Sequence, residues 1–84
     1  MHSVYVLKSL KDGKLYVGCT SDIKERIKYH NDGKVFSTKS RRPLTLIFKE
    51  DYVDRYEAYR TERYYKTAKG KKELKVKIEH CGIV

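Results

Sequence analysis

The chain has 84 residues, enough for one domain with a modest hydrophobic core and too few for a second independently folding unit. Its 20 Lys and Arg against 11 Asp and Glu give a formal charge of +9, which favours a polyanionic partner, with nucleic acid first. A lysine-rich solvated surface would give the same composition without such a partner, so charge alone does not decide between them.

The composition also excludes several classes of protein. No apolar run approaches the ~20 residues needed to cross a bilayer, and the N-terminus lacks the basic and apolar regions of a signal peptide. We therefore expect a cytoplasmic protein with no membrane partner. Cys19 and Cys81 are far apart and have no CxxC or histidine-rich spacing, so we expect two free thiols and no zinc site.

The first predicted element is a β-hairpin. Ser3 to Ser9 and Leu15 to Cys19 are rich in Val, Tyr and Leu, and the Asp12-Gly13 pair between them is a turn signal. If Asp12-Gly13 forms a two-residue turn, Tyr5 faces Thr20 across the hairpin.

The same register places Tyr5, Tyr16 and Gly18 on one face of the hairpin. The glycine removes a side chain between two tyrosines, which a pocket for a ligand approaching the backbone would need. The alternative is that both tyrosines are ordinary strand aromatics.

A helix is predicted next, from about Asp22 to Asn31. The run Thr20-Ser21-Asp22 offers N-cap candidates, Ile23 and Ile27 form an apolar stripe, and Gly33 can end the helix in a left-handed conformation.

Arg26 and His30 lie one turn apart on this helix, beside the apolar stripe. An arginine provides a permanent, fork-shaped cation suited to phosphate, and a histidine can share a proton near neutral pH. The alternative is a surface pair between Asp22 and Arg26 with an exposed histidine near the helix end.

Four further segments follow in the chain. We expect a basic loop over residues 33–43, a strand from Leu44 to Tyr52, a helix from Asp54 to about Ala68 before Gly70, and a last short helix from Lys71 to Glu79. The order β-β-α-β-α-α predicts an α+β domain in which helices flank a small three-stranded antiparallel sheet.

Glu62 lies on the side of the second long helix that should face inward, between Ala58 one turn before and Tyr65 one turn after. Burying a lone carboxylate is costly unless a cation or metal meets it. The alternative is an ordinary surface pair with Lys66, four residues on.

Taken in order, these motifs resemble the GIY-YIG nuclease superfamily. The matching segments of the first half are Ser3-Val4-Tyr5, Tyr16-Val17-Gly18, the helical Arg26 and His30-Asn31-Asp32-Gly33. Further on, two segments are similar to the short single-domain bacterial members, relatives of the N-terminal incision domain of the nucleotide excision repair nuclease: Arg41-Arg42-Pro43-Leu44 and Glu57-Ala58-Tyr59-Arg60-Thr61-Glu62. The resemblance covers Val4 to about Lys69.

The resemblance implies a DNA endonuclease that hydrolyses phosphodiester bonds with Mg²⁺ or Mn²⁺. It implies that Tyr5 and Tyr16 are the two active-site tyrosines, Arg26 the phosphate-binding arginine and Glu62 the metal ligand. His30 matches a histidine that some members place beside the arginine.

Two departures from the family pattern and one open question remain. Ser3 replaces the first glycine of the motif, and no Asn follows Glu62, although many members carry a downstream asparagine in the site. Tyr5 is the expected general base. Because a free tyrosine has a pKa near ~10, it needs either a cation such as Lys14 or a proton path through His30.

We expect DNA as the partner, with RNA as an alternative, and a monomer that takes its substrate specificity from DNA structure or from a protein partner. We expect the protein to act in DNA repair or processing. A rival function is a non-catalytic nucleic-acid-binding module whose tyrosines stack on bases, and another is a protein-interaction domain. The cations expected to contact phosphates without reading sequence are Lys14, Lys34, Lys39, Arg41, Arg42 and Lys66, with the lysines that follow to Lys77.

Overall fold

The computed structural model describes residues 1–81, in which three strands and three helices follow the order β-β-α-β-α-α. The strands form one antiparallel sheet in the order β2-β1-β3. The predicted fold class is therefore confirmed. The elements are β1 (His2–Ser9), β2 (Leu15–Thr20), α1 (Ile23–Asn31), a 3₁₀ turn (Lys39–Arg41), β3 (Leu44–Tyr52), α2 (Arg55–Tyr64) and α3 (Ala68–Cys81).

The hairpin of β1 and β2 pairs two positions away from the predicted register. Tyr5 faces Gly18, whereas a two-residue turn would have set it opposite Thr20. Because side chains alternate along a strand, a shift of two positions leaves every side chain on its predicted face. Tyr5, Tyr16 and Gly18 therefore still share one face of the sheet.

The register differs because the hairpin loop is longer than the Asp12-Gly13 pair. The last bond of the ladder runs from the Ser9 amide to the Lys14 carbonyl at 2.9 Å, which leaves residues 10–13 as the loop. The buried Ser9 hydroxyl accepts hydrogen bonds from the amides of Lys11 and Asp12 at 3.2 Å. A side-chain oxygen thus stabilises the wider turn.

The two faces of the sheet carry separate apolar layers. On the first face, α1 covers the strands with Ile23 and Ile27 over a buried cluster of Tyr5, Leu7 and Leu44. On the second face, α2 and α3 cover a cluster whose buried members are Val4, Val6, Ile47, Phe48, Ala58, Tyr65 and Leu74. The first face is the one that holds both site tyrosines.

The junction of α2 and α3 differs from the prediction. Helix α2 ends at Tyr64 rather than near Ala68, and α3 begins at Ala68 rather than at Lys71. The Thr67 hydroxyl ends one helix and begins the next, since it donates to the Tyr64 carbonyl at 2.7 Å and accepts from the Gly70 amide at 3.0 Å. Gly70 lies inside α3 and does not terminate a helix.

The other element boundaries follow the sequence. Asp22 caps α1 by accepting from the Glu25 amide, and Gly33 adopts a φ of +78° just after the helix. Asp54 caps α2 by accepting from the Tyr56 amide. Strand β3 has the predicted bounds.

Two expectations about the environment of the chain can be compared with the structure. Within residues 1–81, no helix is both long and apolar enough to cross a membrane. Cys19 is a free thiol, as predicted. The side chain of Cys81 lies outside the part of the chain that the structure describes.

Candidate active site

Three rings from three elements meet on the first face of the sheet. The ring centroids of Tyr5 and Tyr16 are 6.4 Å apart, and those of His30 lie 5.8 Å from Tyr5 and 5.0 Å from Tyr16. Since β2 is an edge strand and β1 the central one, Tyr16 is half-buried while Tyr5 is fully buried, and His30 is fully buried between α1 and the sheet. Solvent therefore reaches the cluster from the side of Tyr16.

Gly18 makes room for the Tyr5 side chain. A Cβ atom at Gly18 would collide with the hydroxyl of Tyr5, which lies directly across the hairpin. The sequence suggests a pocket for a ligand at this glycine, and that interpretation is wrong because the phenol itself fills the space.

A chain of hydrogen bonds runs through the cluster. Arg26 Nε donates to the Tyr5 hydroxyl at 3.3 Å, and the same hydroxyl lies 3.0 Å from His30 Nε2. On the other side of the imidazole, His30 Nδ1 lies 2.8 Å from Thr38 Oγ1, and that hydroxyl donates to the Val35 carbonyl at 3.5 Å. These groups come from β1, α1 and the loop after α1.

One assignment of the protons gives every group in this series a partner of the opposite kind. An arginine has only donors, so the Tyr5 oxygen accepts from Arg26 and keeps its own proton to donate. Thr38 likewise donates its proton to a carbonyl and accepts from His30 Nδ1. We therefore assign to His30 the neutral tautomer with its proton on Nδ1, in which Nε2 accepts from Tyr5.

The electrostatics agree with that assignment. Burial, followed by the charge of Arg26, lowers the pKa of His30 below its ordinary value of 6.5. Burial raises the pKa of Tyr5, while the hydrogen bond from Arg26 acts in the opposite direction. The bond to Tyr5 is in turn the largest cause of a raised Arg26 pKa. At neutral pH the site holds a guanidinium, a neutral phenol and a neutral imidazole.

The surface alternatives for Arg26 and His30 are wrong. His30 is fully buried, and Asp22 caps the helix. The cation beside Tyr5 is Arg26 and not Lys14. Sequence reasoning missed Thr38, because nothing in the sequence distinguishes it from Ser37 and Ser40, the other hydroxyl residues of the same basic loop.

Glu62 shows one structural feature of each interpretation. Its side chain is only 14% exposed, as the inward position on α2 predicts, and it also forms the i, i+4 pair with Lys66 at 3.5 Å. It lies toward the second face near Cys19, whose pKa it raises after the larger effect of burial. Within residues 1–81, no hydrogen bond joins Glu62 to the tyrosine and histidine cluster.

Lys66 lies between Glu62 and that cluster. Its Nζ is 5.9 Å from the ring centroid of Tyr16, close enough for a cation–π contact, while it pairs with the carboxylate. The side-chain contacts from Tyr16 through Lys66 to Glu62 therefore pass around the free edge of β2, from one face of the sheet to the other.

The Glu62 carboxylate is the candidate ligand for a metal. Among residues 1–81 there is no group of three or more His, Cys, Asp and Glu side chains that could hold an ion by themselves. A single carboxylate suits Mg²⁺ or Mn²⁺, because such ions keep several waters and take further oxygens from substrate phosphate. The residues present fit a metal of this kind and do not fit zinc.

The predicted phosphate-binding cations fall into two groups. The exposed Lys34 and Lys39 extend over neighbouring aromatic rings, with Nζ 5.1 Å from the ring centroid of Tyr29 and 5.2 Å from that of Phe36. Lys14 is exposed at the end of the hairpin loop. These lysines can reach a ligand without breaking an ion pair.

The two arginines of the loop make contacts within the protein. Arg41 Nε lies 3.4 Å from a carboxylate oxygen of Asp12 and so ties the loop to the hairpin. Arg42 Nε donates to the Lys39 carbonyl at 2.8 Å, and its guanidinium packs against Gly33.

Several known proteins are similar to this chain in sequence. The sequence matches the GIY-YIG catalytic domain over residues 1–75. The UPF0213 protein YazA of Bacillus subtilis is 47% identical over 75 residues, which cover 87% of this chain and 75% of the relative. A UPF0213 protein of Staphylococcus haemolyticus is 41% identical over 76 residues, 89% of this chain and 92% of the relative.

A solved structure agrees with these matches. The solution NMR structure of a UPF0213 protein from Bacillus halodurans superposes with a TM-score of 0.53 at 37% identity, and the match covers 87% of this chain and 80% of that one. Because the family match spans most of the residues that build the fold and the site, the chain belongs to the GIY-YIG family of nuclease domains.

Proposed function

We propose that this protein is a DNA endonuclease that hydrolyses phosphodiester bonds with the help of a divalent metal. One observation carries the proposal: Arg26, Tyr5 and His30 are hydrogen-bonded in series beside the half-buried Tyr16. A fixed cation beside a half-buried tyrosine can orient a phosphate and stabilise the charge that develops during phosphodiester hydrolysis.

Arg26 is the proposed phosphate-binding residue. Its Nε donates to Tyr5 and Tyr16 lies close enough to contribute to its raised pKa, so the terminal nitrogens of the guanidinium are placed beside Tyr16, where they can donate to the non-bridging oxygens of a phosphate. The hydrogen bond that Arg26 donates to Tyr5 holds the guanidinium in place before substrate arrives. A cation oriented in this way stabilises the charge that develops in the transition state without reorganising.

The two tyrosines receive different roles. Tyr5 is fully buried, so it cannot take a proton directly from a water that attacks from solvent. We therefore assign to Tyr16 the contact with the attacking water or the phosphate. Tyr5 positions Arg26 and is itself held by His30, and the lowered pKa of His30 keeps the imidazole neutral at neutral pH.

Glu62 is the proposed ligand for Mg²⁺ or Mn²⁺, which when bound would neutralise charge on the phosphate and the leaving oxygen. Its low exposure and its position near the edge of β2 support this role. The ammonium of Lys66 now compensates the carboxylate, so Lys66 must turn away for a cation to bind there.

The finer parts of the function follow from the cations. Lysines that contact phosphate give affinity but carry no sequence information. We therefore propose that selectivity follows DNA structure or a protein partner, with RNA as a weaker substrate. The protein would act as a monomer in the cytoplasm, in DNA repair or processing.

The test is a nicking time course on supercoiled plasmid and on branched DNA, with Mg²⁺, with Mn²⁺ and with chelator. We expect metal-dependent cleavage that Glu62→Gln abolishes. In the apo protein, Glu62→Gln should change the free energy of unfolding, measured by thermal denaturation, by at most a few tenths of a kcal/mol, the usual value of an i, i+4 pair. Glu57→Gln is the matched control, since Glu57 is exposed on the same helix. Cleavage by Glu62→Gln at the parent rate would exclude Glu62 as the metal ligand.

A second candidate function is a nucleic-acid-binding module without catalysis. The contact that favours it is the Lys66–Glu62 pair, which occupies the carboxylate that a metal would need. Under this hypothesis the protein binds DNA at low salt, no metal supports cleavage, and Lys66→Met leaves both observations unchanged. Metal-dependent cleavage by the unmodified protein would exclude it.

A further inference from the structure

The second face of the sheet is not fully covered by its helices. Beyond the packed cluster under α2 and α3, the end of the sheet nearest the hairpin loop opens into a cleft of about 1080 Å³. Its walls are the hairpin, the start of β3 and one side of α3. The aliphatic residues that line it include Leu10, Leu15, Val17, Ile47, Leu74 and Ile78.

Ile47 and Leu74 at the base of the cleft belong to the buried core, whereas the other four aliphatic side chains remain accessible to solvent. Leu10 and Leu15 are 63% and 38% exposed, and Val17 and Ile78 are half-buried at the cleft wall. Leaving them in contact with water forgoes the free energy that burial of apolar surface would contribute. A contiguous apolar surface of this kind marks an interaction site more often than a scattered one does.

Lysines surround the cleft. Five line it, and no Asp or Glu does so among the residues that the structure describes. Only Lys66 has a carboxylate partner in residues 1–81, so the other four charges are not compensated there. The five are Lys8, Lys14, Lys66, Lys71 and Lys75.

We propose that this cleft binds an acidic amphipathic helix of a protein partner, with its apolar face on the aliphatic floor and its carboxylates on the lysine rim. Charge complementarity identifies the partner as acidic, because the rim is cationic throughout. The aliphatic floor identifies the apolar contacts as aliphatic or aromatic side chains of a helix laid into a groove.

A nucleic-acid strand fits this cleft less well. Single strands are held mainly by bases stacking on several aromatic side chains, whereas the floor is aliphatic: Tyr65 is almost fully buried in the core, and Tyr16 is the one aromatic side chain among the described lining residues that solvent reaches. Duplex DNA would use the lysines and leave the apolar floor in water. The inference does not depend on the proposed nuclease function, although Tyr16 and Lys66 line the cleft and place a bound partner next to the candidate active site.

The test uses a synthetic helical peptide with Leu at positions i, i+3, i+4 and i+7 and Glu elsewhere. Binding is followed by chemical shifts of the ¹⁵N-labelled protein and by calorimetry. We expect the peptide to move the amide resonances of Leu15, Val17, Leu74 and Ile78. A peptide of the same composition in scrambled order, and one with Lys in place of Glu, should leave them unmoved.

Matched variants separate the cleft from general charge. Lys71→Glu with Lys75→Glu should weaken binding at least tenfold, because both lysines lie on the rim. Lys24→Glu with Lys28→Glu makes the same charge change on exposed positions of α1, over the opposite face, and should change the Kd less than twofold. Leu15→Ser should weaken binding of the peptide, because it removes an apolar side chain from the floor of the cleft. Circular dichroism confirms that each variant is folded.

Three outcomes would overturn the proposal. The first is that the acidic peptide leaves the cleft resonances unmoved. The second is that the α1 variant loses as much affinity as the rim variant. The third is that a single-stranded oligonucleotide, tested in parallel, moves the cleft resonances while the peptide does not, which would assign the surface to nucleic acid.

Discussion

The Tyr5 hydroxyl is fully enclosed, yet its donor and its acceptor capacity are both used. A buried hydroxyl without partners costs about 1–3 kcal/mol, so Arg26 and His30 offset a real penalty. Gly18 provides the space in which the phenol reaches both of them. These residues form one unit, and the effects of substituting them should therefore not add.

Arg26→Ala tests whether the guanidinium acts on the phosphate. We expect the cleavage rate to fall by about 10²–10³-fold, the usual loss when one preorganised donor is removed. The free energy of unfolding should fall by only about 0.5–1.5 kcal/mol for the lost hydrogen bond, and DNA affinity should change little among twenty cations.

Arg26→Lys should also lose most of the cleavage rate, because one ammonium cannot both hold Tyr5 and present a planar pair of donors to phosphate. Lys24→Ala, on the same helix, is the control for the loss of one positive charge. If Arg26→Lys retained the parent rate, the guanidinium geometry would be irrelevant to cleavage.

The neutral state of His30 predicts how stability depends on pH. The folded pKa lies below the ordinary value of 6.5 because of burial and Arg26, so between these two values the unfolded chain binds the proton more readily. The contribution to stability is full above about pH 6.5 and is lost as the pH falls from there through the folded pKa.

Urea unfolding of the wild type and of His30→Gln between pH 7.5 and 5 measures this effect. The variant should be less stable at pH 7.5, because it loses buried hydrogen bonds, and its stability should decline less on acidification. His2→Gln with His80→Gln is the control and should follow the wild type. Parallel declines of the wild type and His30→Gln would show that His30 is not the titrating group.

The sheet and its helices show which structural features local sequence patterns can predict. Strand β3 and the start of α1 follow directly from apolar runs and capping residues. The hairpin register does not, because it depends on the Ser9 hydroxyl stabilising residues 10–13, a contact that alternation of apolar residues cannot reveal. Even so, the prediction that Tyr5 and Tyr16 share one face of the sheet is confirmed, since a shift of two positions leaves side chains on the same face.

The candidate site was predictable in its members and not in its geometry. Motif order identified Tyr5, Tyr16, Arg26 and His30, which the fold brings together from β1, β2 and α1. Thr38 could not be found in this way, because its role depends on where the loop after α1 folds back. The two contacts of Lys66, with Glu62 and with the Tyr16 ring, likewise depend on the Lys66 rotamer.

Gly70 gives a test of the α2–α3 junction. A Cβ atom there would collide with the Tyr64 carbonyl oxygen, a backbone atom that cannot move without disturbing the end of α2. Although alanine has the better helix propensity by about 1 kcal/mol, we expect Gly70→Ala to lower the free energy of unfolding by about 1–3 kcal/mol. Lys69→Ala, one position earlier and exposed, is the control. Equal or greater stability of Gly70→Ala in urea would mean that the two helices do not approach so closely.

The net charge of +9 acts on the molecule as a whole. It attracts any polyanion, and its distribution decides which surfaces hold one. Arg41 and Arg42 are engaged by Asp12 and by the Lys39 carbonyl. The exposed lysines of the same loop are therefore the groups that we expect to release counterions from DNA.

Salt titration measures those contacts directly. For duplex DNA the logarithm of the association constant falls linearly with the logarithm of salt concentration, with a slope of about −0.9 for each phosphate neutralised. We expect a steep slope for the wild type, and a slope smaller in magnitude by up to about 2 for Lys34→Ala with Lys39→Ala. Lys24→Ala with Lys49→Ala removes the same charge from outside the loop, so it should change the slope less. A flat dependence for the wild type would mean that phosphate contacts do not dominate binding, and equal slopes for the two variants would mean that the loop after α1 is not where the DNA backbone lies.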